Sequence, residues 1–308
     1  MSEIDHRGIE SCTIQDFGFY IGHKRLPIQT SEGDNLGQPI RLQKGGYLLY
    51  NGEIFNYPDK YKSDVEYLIE LFNSEESHDI LEEANQLDGF WAIVSISENG
   101  FMRCFTDPLG KKQLYYNDSG EICSEIRPLV RQRCFDPLYK SKVYKWGYNT
   151  DDRTPWHNVR RIMPNKLYTF VSGKILTVHP YNYFDWEKFY PKKDLKELLY
   201  DSVSSRLISK KDSIGALGSG GLDSAILARI LEDLKANVSY YTVENNEGKY
   251  ANILADYLGI NLKYLTYDID ESIEDSFLWN ETPIDWGSVI PQHKLLSVIP
   301  EKIVLTGH

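Results

Sequence analysis

The chain has 308 residues, of which 41% are hydrophobic and 13% aromatic, and its formal net charge is -11. Length and composition predict about two globular domains with real hydrophobic cores. The acidic balance argues against a general binder of nucleic acid or of anionic membranes. The four cysteines are widely spaced, without a Cys-x-x-Cys pair, which favours a reducing compartment and no zinc site. The first residues lack a basic-then-apolar signal and no apolar run is long enough to span a membrane, so we expect a cytoplasmic protein.

The first half of the sequence predicts a β-rich domain with one clear helix. β-Branched and aromatic runs bounded by turn residues predict strands at 18–21, 46–50, 90–96, 100–105 and 113–116. Apolar residues at helical spacing from Val65 to Phe72 predict the helix, with Ser63 or Asp64 as its cap. A final hairpin is predicted around the turn at 172–174.

The second half alternates between strand and helix patterns. Strands are predicted at 214–217, 238–243, 262–267 and 303–306, and helices after Lys193, from Ala225 and at 247–258. This alternation predicts a mostly parallel sheet covered on both faces. Ligands of such sheets bind beyond the carboxyl ends of the strands, where Ser219, Val243 and Gly307 fall. An aromatic linker at 181–191 separates the halves, so domains are expected at 1–185 and 192–308.

The stretch 219–224, Ser-Gly-Gly-Leu-Asp-Ser, lies between the first of these strands and the helix that follows. Paired glycines allow backbone N–H groups to converge on an anion, and the helix adds the positive end of its dipole. Ser219 and Ser224 offer hydroxyl donors, and Asp223 offers a carboxylate to Mg2+ beside a phosphate. No lysine follows the glycines, so this is not the G-x-x-x-x-G-K-[ST] loop. An ordinary Gly-Ser turn is the alternative interpretation.

This stretch resembles the S-G-G-x-D-S pyrophosphate-binding loop of ATP pyrophosphatases of the asparagine synthetase type. In that family ATP is split between its α and β phosphates, a carboxylate becomes an acyl-adenylate, and an amine then displaces AMP. The stretch 304–307, Val-Leu-Thr-Gly, resembles the family's V-L-S/T-G. The resemblance implies ATP and Mg2+ as cofactors, with Asp223 as the metal ligand. The ATP-binding residues that it implies are Leu217, Gly218, Ser219, Gly220, Gly221, Asp223, Ser224, Val243 and Gly307. Val243 borders the adenine in this interpretation, and a core position is its alternative.

Seven short stretches of the first half resemble, in the same order, motifs of the class II glutamine amidotransferase domain of asparagine synthetases. They lie at 6–8, 22–28, 51–56, 63–66, 87–90, 107–112 and 124–126. With the later loop at a compatible distance, the resemblance covers nearly the whole chain. It implies an α+β sandwich of the N-terminal-nucleophile type, followed by an α/β parallel-sheet nucleotide-binding domain.

The same resemblance assigns a glutamine site. In it Arg25 binds the glutamine carboxylate, Asp64 binds the ammonium, and Asn51 with Gly52 forms the oxyanion hole. The chemistry fits, because a guanidinium holds a carboxylate in two places and an amide with a backbone N–H can hold a tetrahedral oxyanion. Three structural alternatives stay open. Asp64 is a good helix cap, Asn51-Gly52 is a common hairpin turn, and Arg25 is equally suited to a surface ion pair.

The sequence departs from the family at its start. The family hydrolyses glutamine with a cysteine at position one of the mature chain, whose own α-amine is the base. Here Met1 is followed by Ser2, and Cys12 is internal. Ser2 as a substitute nucleophile is one alternative, and Cys12 is interpreted as a structural cysteine. We therefore expect a vestigial glutaminase, with the fold kept and ammonia production lost.

A second departure lies at the other end. The family continues from V-L-S/T-G into G-x-D-E, whose acidic pair helps to hold Mg2+, and then into a helical segment with a catalytic lysine. Here Gly307 is followed by His308, which is interpreted as a free terminal residue. A second chain that supplies the missing part is therefore expected if the protein is a ligase.

Three functional hypotheses follow. The first is an asparagine synthetase-like ligase that adenylates a carboxylate, with aspartate as the leading candidate acid, for attack by ammonia or another amine. The second is a β-lactam synthetase-like or other amide-forming relative, since such relatives keep an amidotransferase-like domain without its cysteine. The third is a non-catalytic remnant that binds a nucleotide or a protein partner. All three involve small-molecule or protein partners rather than nucleic acid or membrane, and a homo-oligomer is left open.

Overall fold

The computed structural model describes residues 2–26, 37–74, 77–180, 194–207, 213–243, 248–266 and 296–307. The chain divides into two compact units, Met1–Tyr190 and Pro191–His308. Among the helices of the described ranges, none combines the length and the hydrophobicity needed to cross a bilayer.

The first unit is built mainly from antiparallel strands. Its strands are β1 (Glu10–Asp16), β2 (Phe19–Arg25), β3 (Ile40–Arg41), β4 (Tyr47–Ile54), β5 (Gly89–Ile96), β6 (Phe101–Thr106), β7 (Tyr115–Asn117), β8 (Ile122–Cys123), β9 (Val159–Arg161), β10 (Lys166–Val171) and β11 (Lys174–Pro180). Its α-helices are α1 (Asp64–Ser74), α2 (Ser77–Ala84) and α3 (Pro137–Trp146), and a 3-10 helix spans Ser2–Arg7. The predicted strands, the predicted helix and the final hairpin are confirmed with small shifts of their ends.

The centre of this unit is a six-stranded antiparallel sheet in the order β11-β10-β6-β5-β4-β3. Neighbouring residues on one strand point to opposite faces, and both faces are buried here. Trp91 and Ile93 belong to the cluster that contains Leu68 and Phe72 of α1, whereas Ala92 belongs to the cluster on the other side. A β1-β2 hairpin and a three-stranded β8-β7-β9 sheet complete the unit. A sheet buried on both faces explains the continuous apolar pattern of β5.

The strands and α-helices of the first unit that were not predicted are β1 and α3, together with α2 and the short strands β3, β8 and β9. The strand β1 is mostly exposed and polar, so it lacks the apolar pattern used to find strands. The helix α3 buries only Tyr139, but Asp136 caps its start with hydrogen bonds from two backbone N–H groups. Gly147 in a left-handed conformation ends it. Capping residues alone would have found α3.

The second unit contains a four-stranded parallel sheet in the order β14-β13-β12-β15. Its elements are α4 (Leu195–Ser205), β12 (Ile214–Leu217), α5 (Leu222–Asp233), β13 (Val238–Val243), α6 (Gly248–Leu258), β14 (Leu262–Leu265) and β15 (Val304–Leu305). The predicted alternation and parallel pairing are confirmed. The predicted linker, Lys193, Glu247 and Tyr267 lie outside the described residues.

The core of this unit explains why these segments are ordered. Ala216 of β12 and Tyr240 of β13 pack against Ala228 and Leu231 of α5. Gly215, the residue before Ala216 on β12, is also closely packed, because a Cβ atom built there would lie 3.2 Å from the side chain of Ile299. Only residues 218–221 connect the carboxyl end of β12 to α5, which fixes the position of the glycine-rich stretch.

Candidate functional site

A polar cavity of about 410 Å³ lies in the first unit. It is lined by all four residues of the predicted glutamine site, Arg25, Asn51, Gly52 and Asp64. The strands β2 and β4 and the start of α1 supply them. The structure therefore brings together four residues that are up to 39 positions apart in the sequence and that only the resemblance had joined.

The hairpin-turn alternative for Asn51 and Gly52 is wrong. Both residues lie inside β4, where Asn51 is opposite Ala92 and Gly52 is opposite Trp91. A Cβ atom at Gly52 would lie 2.2 Å from the carbonyl oxygen of Phe90, so only glycine fits at this approach of two strands. An NG pair is a frequent turn signal, and here the packing of β4 on β5 overrides it.

The capping alternative for Asp64 is also wrong. The hydroxyl of Ser63 accepts the hydrogen bond of the Glu66 backbone N–H at 3.2 Å, so Ser63 is the capping residue. The carboxylate of Asp64 is buried and turns elsewhere. It accepts hydrogen bonds from the Tyr50 hydroxyl at 2.6 Å and from the Ile54 backbone N–H at 3.1 Å. Burial raises the pKa of Asp64, and the Tyr50 hydrogen bond opposes this rise.

Arg25 forms the ion pair of one alternative and also lines the cavity, so its assignment to the glutamine carboxylate stays a prediction. Its guanidinium forms an ion pair with Glu10 of the neighbouring strand at 3.3 Å. The side chain is nevertheless only 18% exposed and lines the cavity. Further donors of a guanidinium stay available when one oxygen is bound, because the group carries five N–H bonds.

Among the described residues, five further basic side chains line the cavity, and none was assigned a site role from the sequence. They are His6, Arg7, His23, Lys24 and Lys112, which belong to three of the matched stretches. Nδ1 of His23 is buried and has no hydrogen-bond partner among the described residues. Burial lowers the pKa of His23, and it lowers that of Lys112, where repulsion by Arg7 adds to the effect. Their positions inside the stretches that resemble the family were the signal from which these cavity residues could have been predicted.

No cysteine lines this cavity among the described residues, which include all four cysteines of the chain. Cys12 is exposed on β1 and does not line the cavity, and its interpretation as a structural cysteine stays a prediction. Cys104 is fully buried in the sheet core, and burial raises the pKa of its thiol well above the usual range. Neither thiol is placed as a nucleophile facing the predicted glutamine site.

The glycine-rich stretch of the second unit forms a compact turn between β12 and α5. The hydroxyls of Ser219 and Ser224 lie 3.0 Å apart, and the Gly221 backbone N–H donates to the Ser219 hydroxyl at 3.3 Å. Gly220 has a φ of 77°, and a Cβ atom there would lie 2.4 Å from the carbonyl carbon of Tyr250. The turn therefore requires glycine at this position for conformation and for space.

The start of α5 adjoins this turn with no side-chain cap at Gly221. Asp223 lies exposed in the first turn, whereas Ser224 is buried. Gly307 lies against them, since a Cβ atom there would be 2.7 Å from the Ser224 backbone nitrogen. An uncapped helix start with exposed hydroxyl and carboxylate groups is suited to phosphate and cation binding.

The other predicted nucleotide-binding residues lie at the same edge of the parallel sheet. Leu217 ends β12, and the Gly218 backbone N–H donates to the carbonyl of Tyr241 on β13 at 2.8 Å. Val243 ends β13 and is half-buried. The described residues contain no cluster of three or more carboxylate, histidine or cysteine side chains that could hold a metal by themselves. His308 lies outside the described residues.

Two family models match the chain. Residues 1–182 match the model of the glutamine amidotransferase domain, and residues 194–308 match that of asparagine synthase. The chain belongs to the family of the glutamine amidotransferase domain, and its second unit is similar to asparagine synthase. The resemblance found from short motifs is thereby confirmed.

Individual asparagine synthetases agree with the family matches. The asparagine synthetase [glutamine-hydrolyzing] of Gallus gallus is 28% identical over 271 residues, which cover 77% of this chain and 46% of that protein. That of Homo sapiens is 29% identical over 271 residues with the same coverage. Asparagine synthetase B [glutamine-hydrolyzing] of Escherichia coli (strain K12) is 27% identical over 237 residues, which cover 70% of this chain and 37% of that protein. The chain spans about half the length of the relatives it matches or less.

Proposed function

We propose that this chain is part of an ATP-dependent amide ligase of the asparagine synthetase type. A carboxylate, with aspartate as the first acid to test, is adenylated with release of pyrophosphate, and ammonia or another amine then displaces AMP. The amino-terminal unit is proposed to be an N-terminal-nucleophile-type sandwich that has lost its glutaminase activity. The second unit is proposed to be the ATP-pyrophosphatase domain, with the units corresponding to residues 1–185 and 192–308.

The geometry of the turn at 219–224 carries this proposal. Hydroxyls of Ser219 and Ser224 converge at 3.0 Å beside an uncapped helix start, at the carboxyl end of a parallel strand. Backbone N–H groups and a helix dipole stabilise phosphate charge, and the hydroxyls add donors. We assign the pyrophosphate of ATP to this turn and its adenine to the strand ends at Leu217 and Val243. Gly307 closes the site because its missing side chain lets β15 approach α5.

The donor set around Asp223 fits Mg2+ that arrives with ATP. Mg2+ keeps several water ligands and is bound through one or two carboxylates together with phosphate oxygens. A single exposed carboxylate next to a phosphate turn therefore suffices. When bound, Mg2+ would neutralise phosphate charge, and this chain's groups would orient the phosphates for displacement.

Loss of glutaminase activity is proposed from the chemistry of the cavity. Arg25 and Asp64 remain suited to the carboxylate and ammonium of an amino acid, and Asn51 with Gly52 to an oxyanion. No thiol lies among the described residues that line the cavity. Without a nucleophile, an oxyanion hole and an amino-acid site bind without cleaving an amide.

Binding of nucleotide tests the proposal on the chain as it exists. Titration calorimetry with Mg-ATP and with pyrophosphate is expected to give saturable heat, together with protection of amides 219–224 from hydrogen exchange. Asp223→Asn is expected to weaken Mg-ATP binding by about a hundredfold, since a charge-assisted metal contact is lost. Asp256→Asn, on the exposed face of α6, removes the same charge in the same unit and serves as the control. The assignment fails if Asp223→Asn binds as the unaltered chain does.

Formation of the acyl-adenylate is tested by exchange of labelled pyrophosphate into ATP with aspartate and other candidate acids. Acid-dependent exchange supports a ligase, whereas nucleotide binding without exchange for any acid favours a non-catalytic nucleotide-binding role. The cavity without a thiol equally suits a β-lactam synthetase-like enzyme, which would not use glutamine. Identification of the product with ammonia, external amines or an internal amine separates these two ligases.

A further inference from the structure

Among the described residues that line the cavity of the first unit, Lys112 differs from the other lysine and the arginines because it forms no ion pair. Arg7 pairs with Glu125 at 3.6 Å, Lys24 with Asp5 at 2.6 Å, and Arg25 with Glu10 at 3.3 Å. Lys112 lines the same cavity and forms no ion pair within 4.0 Å with a carboxylate of the described residues, and Glu53 and Asp107 attract it from a longer distance.

The surroundings of Lys112 disfavour the charged form of its side chain. The side chain is half-buried, and its Nζ lies 5.3 Å from the centroid of the Phe90 ring. Burial, and after it repulsion from Arg7, lower the pKa of Lys112, and attraction by the carboxylates of Glu53 and Asp107 offsets this only in part. A partly buried ammonium whose nearest carboxylates lie beyond ion-pair distance gains from an anion placed beside it. Arg7 lies in the same cavity, so an anion there would meet a second cationic donor.

A purely anionic ligand such as phosphate does not fit the whole cavity. Asp64 and Glu53 also line it, and their carboxylates would repel a group of negative charge only. A ligand that satisfies both sets of residues carries one ammonium and more than one anionic group. The amide of a glutamine side chain offers Lys112 no negative charge.

We propose that this cavity binds an acidic amino acid, with its side-chain carboxylate on Lys112. The inference rests on the proposed assignment of the cavity as an amino-acid site. The α-carboxylate lies on Arg25, the ammonium lies beside Asp64, and the second carboxylate accepts from Lys112 and Arg7. The cavity is then a sensor or holding site for an amino dicarboxylate rather than a place where an amide is cleaved.

Titration calorimetry of the whole chain without nucleotide tests this site independently of the phosphate turn. L-Glutamate, L-aspartate and L-glutamine are compared at one pH and one ionic strength. We expect glutamate or aspartate to bind about tenfold more tightly than glutamine, which corresponds to one charge-assisted hydrogen bond. Lys112→Met is expected to remove this preference and to weaken binding of the dicarboxylate about tenfold.

Lys111→Met is the matched control, because Lys111 is exposed and is the adjacent residue of the same turn. The turn itself is held by backbone groups, since the N–H groups of Lys111 and Lys112 donate to the Asp107 carboxylate at 3.0 and 2.9 Å. Both substitutions keep these bonds. Lys112→Arg keeps the charge and is expected to retain the preference for the dicarboxylate, which separates charge from packing.

Three results would overturn the inference. They are equal affinities for glutamate, aspartate and glutamine, absence of dicarboxylate binding to the unaltered chain, and an equal loss in Lys111→Met and Lys112→Met. Failure of Mg-ATP to bind would instead contradict the proposed ligase function, and it would leave the proposal of a Lys112-dependent dicarboxylate site unaffected. The two proposals therefore fail separately.

Discussion

The two candidate sites differ in how the chain builds them. The phosphate turn uses six consecutive residues whose conformation follows from two glycines and a strand-to-helix connection. The cavity uses side chains from Arg7 to Lys112 that meet only because a sheet is folded between them. The turn is therefore sensitive to backbone shape, whereas the cavity is sensitive to individual hydrogen bonds and charges. Substitutions that change one property at a time distinguish the two.

The largest effect is expected at Gly220. Alanine there meets both a left-handed backbone, at a φ of 77°, and a backbone atom of α6 at 2.4 Å. Gly220→Ala is expected to cost on the order of 3 kcal/mol in the free energy of unfolding of the second unit and to abolish Mg-ATP binding. Denaturant unfolding and calorimetry measure the two losses.

Gly259→Ala is the matched control for backbone strain. Gly259 has a φ of 71° in the same unit, and no atom lies within 4 Å of a Cβ built there. It should cost only about 1 kcal/mol and leave nucleotide binding unchanged. If both variants lose the same stability and both still bind Mg-ATP, then nucleotide binding does not depend on the close packing of the turn against α6.

A smaller effect is expected at Tyr50, whose hydroxyl donates to the buried carboxylate of Asp64. Tyr50→Phe should reduce the free energy of unfolding by about 2 kcal/mol near neutral pH, because a buried ionised group loses a donor. The pKa of Asp64 is raised above 3.8 in the folded chain. The contribution of Asp64 to the free energy of unfolding is therefore fully present below pH 3.8, and it is lost as the pH rises through the pKa of Asp64 in the folded chain.

The pH dependence sharpens this test. The Tyr50 hydrogen bond lowers the pKa of Asp64, so Tyr50→Phe raises that pKa further and extends the loss of stability to higher pH. Urea unfolding between pH 4 and 8 measures it. Tyr144→Phe, at a side chain 84% exposed, removes a hydroxyl without this partner and should change nothing. Parallel curves for the unaltered chain and Tyr50→Phe would contradict the role given to Asp64.

The same contrast explains what the sequence could predict. The strand-turn-helix order around 219–224 is local, so both its conformation and its candidate chemistry follow from neighbouring residues. The roles of Asn51 and Asp64 are not local. Asn51 carries a local turn signal, but the pairing of β4 with β5 places it inside a strand. Asp64 carries a local capping signal, but its carboxylate accepts the hydrogen bond of the Tyr50 hydroxyl instead. Local propensity yields to tertiary packing there.

The basic residues of the cavity show a second limit. Lys111 and Lys112 are identical neighbours in the sequence, yet one is exposed and the other faces the cavity over Phe90. The difference comes from the turn that Asp107 closes with its carboxylate. Only the folded chain shows which of the two lysines is half-buried and forms no ion pair with a carboxylate of the described residues.

The smallest expected effect is none, and it concerns glutamine hydrolysis. Removing one donor of a working oxyanion hole costs about a hundredfold to a thousandfold in kcat. Asn51→Ala should nevertheless leave glutamate release from glutamine at the uncatalysed background, because no described thiol faces Asn51. Ser2→Ala should have no effect either, which tests the substitute nucleophile. Hydrolysis that depends on Asn51 would refute the loss of glutaminase activity, and dependence on Ser2 as well would identify the nucleophile. A null result in both variants leaves a cavity that binds an amino acid without consuming it.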